Sequence, residues 1–438
     1  MVRDKIKFFR DPIYGYIDVD KRYLKIIDSP FFQRLRRIKQ LAFTHLVYHG
    51  AEHSRFGHSL GTYHLASVIA NRIPGLVNEE MRDNFRLAAL LHDVGHPPCS
   101  HAFESVLEDF YTNSAHEDYT EAVIMHSEIG DYINDIGGDK KTIVKLIKGQ
   151  FIDKPDFAYL NDLLSSELDL DRMDFLLRDS YYCGVPYGKY DIDRLLISLK
   201  LHENEIVVQE KGRHAVESFI LSRFYMYTQV YTHRTRRAFD IMLKAIFTKD
   251  IMKNIDYPQA TSRDINRLLE FDDAWLLNEI KEIAKTKGTE AKIAKLFMKR
   301  EQIRAVLEKI AYYDVENRST DPTFSTIDTL ESFKEEFARE LKINQGLIFF
   351  DRPWKDLPFE KRYRQYSFLQ GDETKTIKIL LGKEAKDIAF DVSSLAYHLS
   401  RKLAQVIRIY TLKEKRKKLE NAIIRRRPEL KDLIVKKS

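Results

Sequence analysis

The sequence has little cysteine and no long apolar run. Its 438 residues include two cysteines, Cys99 and Cys183, which provide neither a disulfide framework nor the spacing of a cysteine zinc site. No apolar stretch approaches the roughly 20 residues that span a bilayer, and the first residues lack the apolar core of a signal peptide. The expectation is a cytoplasmic protein in a reducing compartment, without membrane contact.

Glycine and strand-forming segments are also scarce, whereas apolar residues recur at helical spacing over long stretches. This pattern predicts a mainly α fold. Strand character is concentrated late in the chain, at 346–350, 376–381 and 406–410. Because the length exceeds what one core usually organises, we predict two parts. These are a helical core with flanking helices at 1–320 and a small α+β C-terminal lobe with a basic tail at 321–438.

Several individual helices can be predicted. A cap at Asp28-Ser29-Pro30 predicts a helix running through Leu41. The apolar spacing predicts four further helices, at 58–72, 82–93, 160–178 and 215–249. The helix at 82–93 ends in an adjacent His-Asp pair before Gly95 and two prolines, so the pair is expected at a helix terminus that opens into a loop.

Positive charge is concentrated at the C-terminal end. Residues 413–437 hold 11 Lys and Arg against 4 Asp and Glu, while the whole chain has a net charge of +6. A solvated helix face explains such a segment. Contact with nucleic acid or with an acidic partner surface is the alternative. No aromatic residue interleaves these charges, so stacking on single-stranded bases is not indicated.

Two histidines and two aspartates follow one another in an order suited to a metal site. They are His58, the pair His92-Asp93, and Asp171. A bare His-Asp pair is a weak signal, and the complete ordered set is the informative one. Two imidazoles and two carboxylates can hold one divalent metal and leave positions open for water and phosphate. This ligand type suits Mn, Fe, Co, Ni, Mg or Zn, and it predicts a phosphate ester or anhydride as the target.

Further polar residues near this set suit phosphate chemistry. Imidazoles can donate to phosphate oxygens or protonate a leaving oxygen, and guanidinium groups match phosphate geometry. Glu104 lies three residues after His101 and could orient it. Taken singly, each of these residues is also explained as an ordinary surface hydrogen bond or ion pair. The candidates are His96, His101, His116, Arg55, Arg172 and Arg223.

The longer motifs around these residues carry a family resemblance. The chain resembles the HD-domain dNTP triphosphohydrolases, including small prokaryotic members and the catalytic part of the vertebrate SAM-and-HD-domain enzyme. The resemblance covers nearly the whole chain and rests on the residues FRDPIYG at 9–15, FQRLRRIKQL at 32–41, HSRFGHSLG at 53–61, the His-Asp loop, DRMDFLLRD at 171–179 and VYTHR at 230–234.

The resemblance implies hydrolysis of a dNTP to a deoxynucleoside and inorganic triphosphate, with one divalent metal per subunit and Mg on the nucleotide. It assigns His58, His92, Asp93 and Asp171 to the metal. It also implies that His101 is the general acid, supported by Glu104. The remaining implied substrate contacts are His96, His116, Gln40, Leu41, Arg55, Arg172, Phe175, Asp179, Arg223 and Tyr231. Phe175 stands where the vertebrate enzyme has Tyr, Arg172 where it has Lys, and Thr232 where it has Gln.

The resemblance further implies regulation. A GTP or dGTP activator between subunits of a dimer or tetramer would be held by Asp28, Gln33, Arg36, Arg300 and Arg304. For Asp28 an ordinary helix cap is the alternative. Two other functions stay open. One is an HD-type phosphohydrolase or phosphodiesterase acting on other nucleotides, and the other is a nucleotide-sensing or nucleic-acid-binding protein that uses the basic tail.

Overall fold

The computed structural model describes residues 6–73, 75–260, 265–314, 322–352, 376–400 and 402–436. Helices dominate these ranges, which confirms the predicted mainly α fold. Up to residue 183 the α-helices are α1 Leu24–Ile27, α2 Pro30–Arg34, α3 Arg55–Arg72, α4 Glu79–Leu91, α5 His101–Leu107, α6 His116–His126, α7 Glu128–Asp135, α8 Lys140–Ile147, α9 Leu160–Leu164 and α10 Leu170–Cys183. The later ones are α11 Ile192–Ser198, α12 Arg213–Tyr225, α13 Arg234–Ile246, α14 Lys249–Met252, α15 Asp273–Lys285, α16 Thr289–Met298, α17 Pro322–Ser332, α18 Lys334–Leu341, α19 Leu395–Ser400 and α20 Arg416–Arg426.

The strands of the described residues form three small sheets. β1 (Ile6–Asp11) and β2 (Gly15–Asp20) make an antiparallel hairpin. A four-stranded sheet has the order β3-β4-β7-β8, with β4 and β7 parallel. Its strands are β3 Leu199–His202, β4 Glu205–Gln209, β7 Lys378–Leu381 and β8 Glu384–Asp387. An antiparallel sheet has the order β5-β9-β6, with strands β5 Arg304–Asp314, β6 Ile348–Asp351 and β9 Lys402–Thr411.

The chain forms two compact units that alternate along the sequence. The first unit comprises the described residues within 1–230, 252–278 and 375–388, and the second comprises those within 231–251, 279–374 and 389–438. The predicted domain boundary at residue 320 lies outside the described residues and stays a prediction.

Three helices of the first unit, α3, α4 and α10, position the residues that are predicted to bind a metal. Asn78 caps α4 by accepting a hydrogen bond from the Met81 backbone N–H at 2.9 Å, and Asp169 caps α10 through the Arg172 N–H at 2.8 Å. α3 packs against both helices. After α4 the loop approaches α6 so closely that a Cβ on Gly95 would lie 2.1 Å from the Thr120 nitrogen. Only glycine fits there without displacing backbone.

Three helix predictions are wrong in extent. The segment 160–178 is interrupted between α9 and α10, because Asp169 adopts an extended conformation and caps the second helix. The segment 215–249 is divided by a π-helix at Met226–Tyr231 and by the cap at His233. The helix expected to run through Leu41 ends in a 3-10 turn at Leu35–Arg37, and its cap is Ser29, not Asp28.

The second unit has its own apolar core and uses several of the tail cations. Val306, Ile348, Ile409 and Ile423 are fully or almost fully buried in that core. Arg425 and Arg426 pair with Glu340, and the guanidinium of Arg426 also lies 4.8 Å from the ring centroid of Phe337. Part of the positive charge of the tail therefore stabilises the packing of α20 within the second unit.

Within the described residues, no helix is both long enough and apolar enough to cross a bilayer.

Candidate active site

The predicted metal-binding residues converge in the first unit. His58 lies in the first turn of α3, His92 follows the last residue of α4, and Asp171 lies in the first turn of α10. The His58 Nε2 atom is 3.2 Å from His92 Nε2 and 2.9 Å from Asp171 Oδ1. Asp93 approaches from the loop, with Oδ1 at 3.3 Å from His92 Nε2. Three helix termini thus bring together four residues from three separate segments of the sequence.

The hydrogen bonds of the two imidazoles show that this donor set fits a cation. His58 Nδ1 lies 2.7 Å from Asp174 Oδ2, and His92 Nδ1 lies 2.9 Å from the Ala89 carbonyl oxygen. If each Nδ1 carries the donated proton, two Nε2 lone pairs face each other at 3.2 Å. A proton or a metal ion between them relieves that repulsion. His58, His92 and Asp171 offer ligand atoms close enough for one ion.

Electrostatics keep the carboxylates of this group ionised. Burial alone favours a neutral Asp93, but Arg55 and His92 hold the pKa of Asp93 well below its usual range. In the same way, His58 and His92 outweigh desolvation and lower the pKa of Asp171. Burial alone lowers the pKa of His58, whereas hydrogen bonds to Asp171 and Asp174 raise it to about 10.

A buried ion-pair network behind His58 was not assigned a role from the sequence. Asp174 is fully buried and accepts hydrogen bonds from His58, from Tyr14 at 2.9 Å and from Arg178 at 2.8 Å. Arg178 also pairs with Asp11 at 2.9 Å. Only the helical i, i+4 spacing of Asp174 and Arg178 hints at this pair. The contact between this ion pair and His58 forms only in the folded chain, so no local sequence pattern predicts it.

The three additional histidines form a second cluster with Glu104. His96 follows α4, and His101 and His116 are the first residues of α5 and α6. Glu104 Oε2 lies 2.5 Å from His101 Nδ1, and Oε1 lies 3.0 Å from His116 Nδ1. Burial opposes a charged His116, but Glu104 and Glu117 raise its pKa to about 9. Asp93 connects the two clusters, since its Oδ1 is 3.2 Å from His96 Nε2.

Each predicted phosphate-binding arginine is paired with a carboxylate in this structure. Arg55 contacts Asp93 and donates to Ser100 at 2.7 Å. Arg172 pairs with Asp169, and Arg223 pairs with Glu167. All three therefore lie next to acidic groups with which an anionic ligand would compete.

The predicted sugar and base contacts are divided between the two units. Gln40 and Leu41 are almost completely buried in the first unit, and among the described residues Gln40 Oε1 has no hydrogen-bond partner. Phe175 and Asp179 lie on α10, where Asp179 Oδ1 accepts a hydrogen bond from His53 Nε2 at 2.7 Å. Tyr231 ends the π-helix and belongs to the second unit.

The residues predicted to hold a regulatory nucleotide are also divided. Asp28 and Arg36 are exposed in the first unit, and Arg36 donates to Gln33 at 2.8 Å. Arg300 and Arg304 are exposed in the second unit. Arg304 lines a cavity of about 890 Å³ whose other cations include Arg234, Lys413, Arg416, Lys417, Lys431 and Lys436.

Two known protein-family regions together match most of the chain. Residues 55–179 match the HD domain, and residues 190–425 match the HD associated region. HD domains bind divalent metals, in agreement with the cluster around His58.

Individual proteins are also similar to this chain. The uncharacterized protein YwfO of Bacillus subtilis is 41% identical over 247 residues, which are 55% of this chain and 55% of that protein. The deoxynucleoside triphosphate triphosphohydrolase SAMHD1 homolog of Dictyostelium discoideum is 33% identical over 261 residues, 56% of this chain and 50% of that protein. The match thus spans about half the length of these curated relatives. A solved hypothetical protein from Aquifex aeolicus is 31% identical, with a TM-score of 0.75 and coverage of 95% of this chain and 100% of that one.

Proposed function

The chain belongs to the HD-domain phosphohydrolases that carry an HD-associated region, and on that premise we propose that it hydrolyses deoxynucleoside triphosphates to a deoxynucleoside and inorganic triphosphate. The convergence of His58, His92, Asp93 and Asp171 supports this proposal most strongly. The similarity to the Dictyostelium triphosphohydrolase supports the choice of substrate.

The metal-binding role belongs to the same proposal. His58 and His92 would bind through Nε2, because their Nδ1 atoms are engaged by Asp174 and by a backbone carbonyl. Asp93 and Asp171 would supply oxygen. When bound, a divalent metal supplies Lewis acidity at a phosphoryl oxygen and lowers the pKa of water.

Residues of the chain carry out the other steps of the proposed reaction. Water adds to the α-phosphorus, the bond from phosphorus to O5′ breaks, and O5′ needs a proton to leave as a hydroxyl. His101 supplies that proton. Its ring is oriented by Glu104, and its side chain is 65% exposed, so a substrate can reach it. His96 and His116 lie beside it and donate to phosphate oxygens.

The arginines fit a polyphosphate chain. Arg55, Arg172 and Arg223 would exchange their present carboxylate partners for phosphate oxygens when the substrate binds. Around the sugar we propose Gln40, Leu41, Phe175, Asp179 and Tyr231. Phe175 cannot hydrogen-bond through its ring, so discrimination against ribose would depend on packing and on Asp179.

Activation by a guanine nucleotide is the regulatory part of the proposal. Asp28, Gln33 and Arg36 would recognise GTP or dGTP, and Arg300 and Arg304 would neutralise its phosphates. The cationic cavity that Arg304 lines supports this role for the second unit. Binding would favour a dimer or tetramer, because an activator shifts an equilibrium by its differential affinity for the two states.

A product assay tests the proposed reaction. The purified full chain is incubated with each dNTP and Mn²⁺ or Mg²⁺, with and without GTP, and the products are separated by chromatography. Deoxynucleoside plus triphosphate is the expected result. Deoxynucleoside monophosphate plus pyrophosphate would instead establish a different HD-type phosphohydrolase. No turnover in any mixture, together with salt-sensitive nucleic-acid binding that substitution of the exposed Lys417 and Lys418 by Ala weakens, would favour the binding protein.

The Asp171→Ala variant is the control for the metal-binding role in this assay. Removing this carboxylate should abolish turnover, since it deletes one of the proposed metal ligands. Asp193→Ala serves as the matched variant, because Asp193 also lies in the first turn of a helix, α11, and is exposed. Asp193→Ala should keep full activity, and wild-type turnover by Asp171→Ala would eliminate the proposed metal site.

A further inference from the structure

The cluster of His96, His101, Glu104 and His116 has the composition of a metal site in its own right. The four side chains each offer one ligand atom, and these atoms all lie within 4.8 Å of one another. Three imidazoles and one carboxylate are a nitrogen-rich set that suits zinc and similar transition metals and is unsuited to magnesium, which prefers oxygen.

The rings are arranged compactly around the carboxylate. His96 and His116 are stacked with centroids 3.9 Å apart and planes 12° apart, and His101 lies edge-on to both at 5.0 and 5.3 Å. Glu104 engages one histidine with each of its oxygens. A bound cation would replace protons that these hydrogen bonds now share.

His96 provides an independent sign that the cluster lacks a partner. Its ring is 1% exposed, and within the described residues its Nδ1 atom makes no hydrogen bond. A buried imidazole nitrogen without a partner costs free energy. A cation bound through Nδ1 would satisfy it, as would an ordered water. The high exposure of the His101 side chain leaves a route for a cation from solvent.

We propose that these four residues form a second metal site, selective for zinc or a similar transition metal and separate from the site at His58. Binding there follows from the cluster alone. Its consequence rests on the proposed function: a cation ligated by His101 would remove the proton donor, so excess zinc would inhibit an enzyme that is supplied with Mg²⁺.

Zinc stoichiometry in the metal-free full chain tests the proposal without using activity. Zinc is added by equilibrium dialysis, and bound metal is measured by mass spectrometry. The wild type should bind two zinc ions per chain, Asp171→Ala one, and Glu104→Gln one. Glu117→Gln is the matched control, because Glu117 lies 3.4 Å from His116 Nδ1 but outside the four-residue group, and it should still bind two.

A second variant covers a possible folding defect in Glu104→Gln. His101→Ala changes a mostly exposed side chain and should lower the affinity of only the second zinc. Two zinc ions bound with wild-type affinity by either variant, or one by the wild type, would overturn the proposal. A wild type that binds two zinc ions and hydrolyses no dNTP would retain this site and reject the proposed function.

Discussion

At the scale of single residues, Gly61 determines how Asp174 reaches His58. A Cβ atom at Gly61 would lie 1.8 Å from Asp174 Oδ1 and 2.5 Å from the Arg178 guanidinium. The ion pair therefore lies directly against the backbone of α3, one turn from His58. Because Asp174 is hydrogen-bonded to the His58 ring, the proposed metal site depends on the absence of a side chain at residue 61.

Gly61→Ala should weaken metal binding while retaining the helix. Alanine favours the helix but forces Asp174 away, so His58 loses its orienting hydrogen bond. Losses of this kind reduce metal affinity by about 10- to 100-fold. Gly57→Ala is the control on the same helix, since its Cβ would meet Arg178 at an ordinary 3.4 Å. Chelator competition measures both affinities, and equal affinities would show that Asp174 does not position His58.

The pKa of His58 predicts how metal binding depends on pH. A value of about 10 means that the metal-free site retains a proton near neutral pH. The metal must displace this proton, so the affinity should rise by about tenfold per pH unit until the pH reaches that pKa. Metal affinity is measured at several pH values around neutrality. Only the binding that is lost in Asp171→Ala is assigned to this site. An affinity independent of pH would contradict the elevated pKa.

At the scale of elements, helix termini place the site. His58 lies in the first turn of α3, His92 follows the last residue of α4, and Asp171 lies in the first turn of α10. α4 also packs against α8. Asp139 caps α8 by accepting hydrogen bonds from the backbone N–H groups of Lys141 and Thr142.

Asp139→Ala should loosen α8. Loss of a cap costs about 1 kcal/mol, which corresponds to about fivefold faster hydrogen exchange in residues 143–147. Lys141→Ala is the control, because it changes an exposed residue in the same turn without removing a cap. Unchanged exchange in Asp139→Ala would refute the capping role.

The same cap has a defined pH dependence. Partial burial opposes ionisation, but hydrogen bonds from Thr142 and Lys141 lower the pKa of Asp139. The charged cap therefore stabilises α8 above the unfolded pKa of about 3.9, and this contribution is lost as the pH falls through the lower folded value. The difference between wild type and Asp139→Ala should shrink over that acidic range.

Some of these elements can be predicted from the sequence and others cannot, for physical reasons. The His-Asp pair could be placed at a helix end because Gly95 and two prolines follow it. The π-helix at Met226–Tyr231 could not be predicted, since its apolar spacing continues that of α12. Asp174 and Gly61 were also missed, because their contact joins two helices more than a hundred residues apart. The roles of the predicted site residues stay predictions.

At the scale of the whole molecule, the proposed activator should change both assembly and rate. Addition of GTP or dGTP should convert the protein to a dimer or tetramer in light scattering and increase dNTP turnover. Asp28→Ala should reduce both effects, because it removes the proposed contact to guanine. Identical mass and turnover with and without guanine nucleotide would leave Asp28 as an ordinary surface residue.

The position of an oxygen label tests the proposed reaction most directly. Hydrolysis of a dNTP is carried out in ¹⁸O-water, and the separated products are analysed by mass spectrometry. Attack at the α-phosphorus with loss of O5′ predicts one ¹⁸O atom in inorganic triphosphate and none in the deoxynucleoside. Label in deoxynucleoside monophosphate, pyrophosphate or orthophosphate would show cleavage elsewhere in the phosphate chain and would contradict the proposed triphosphohydrolase.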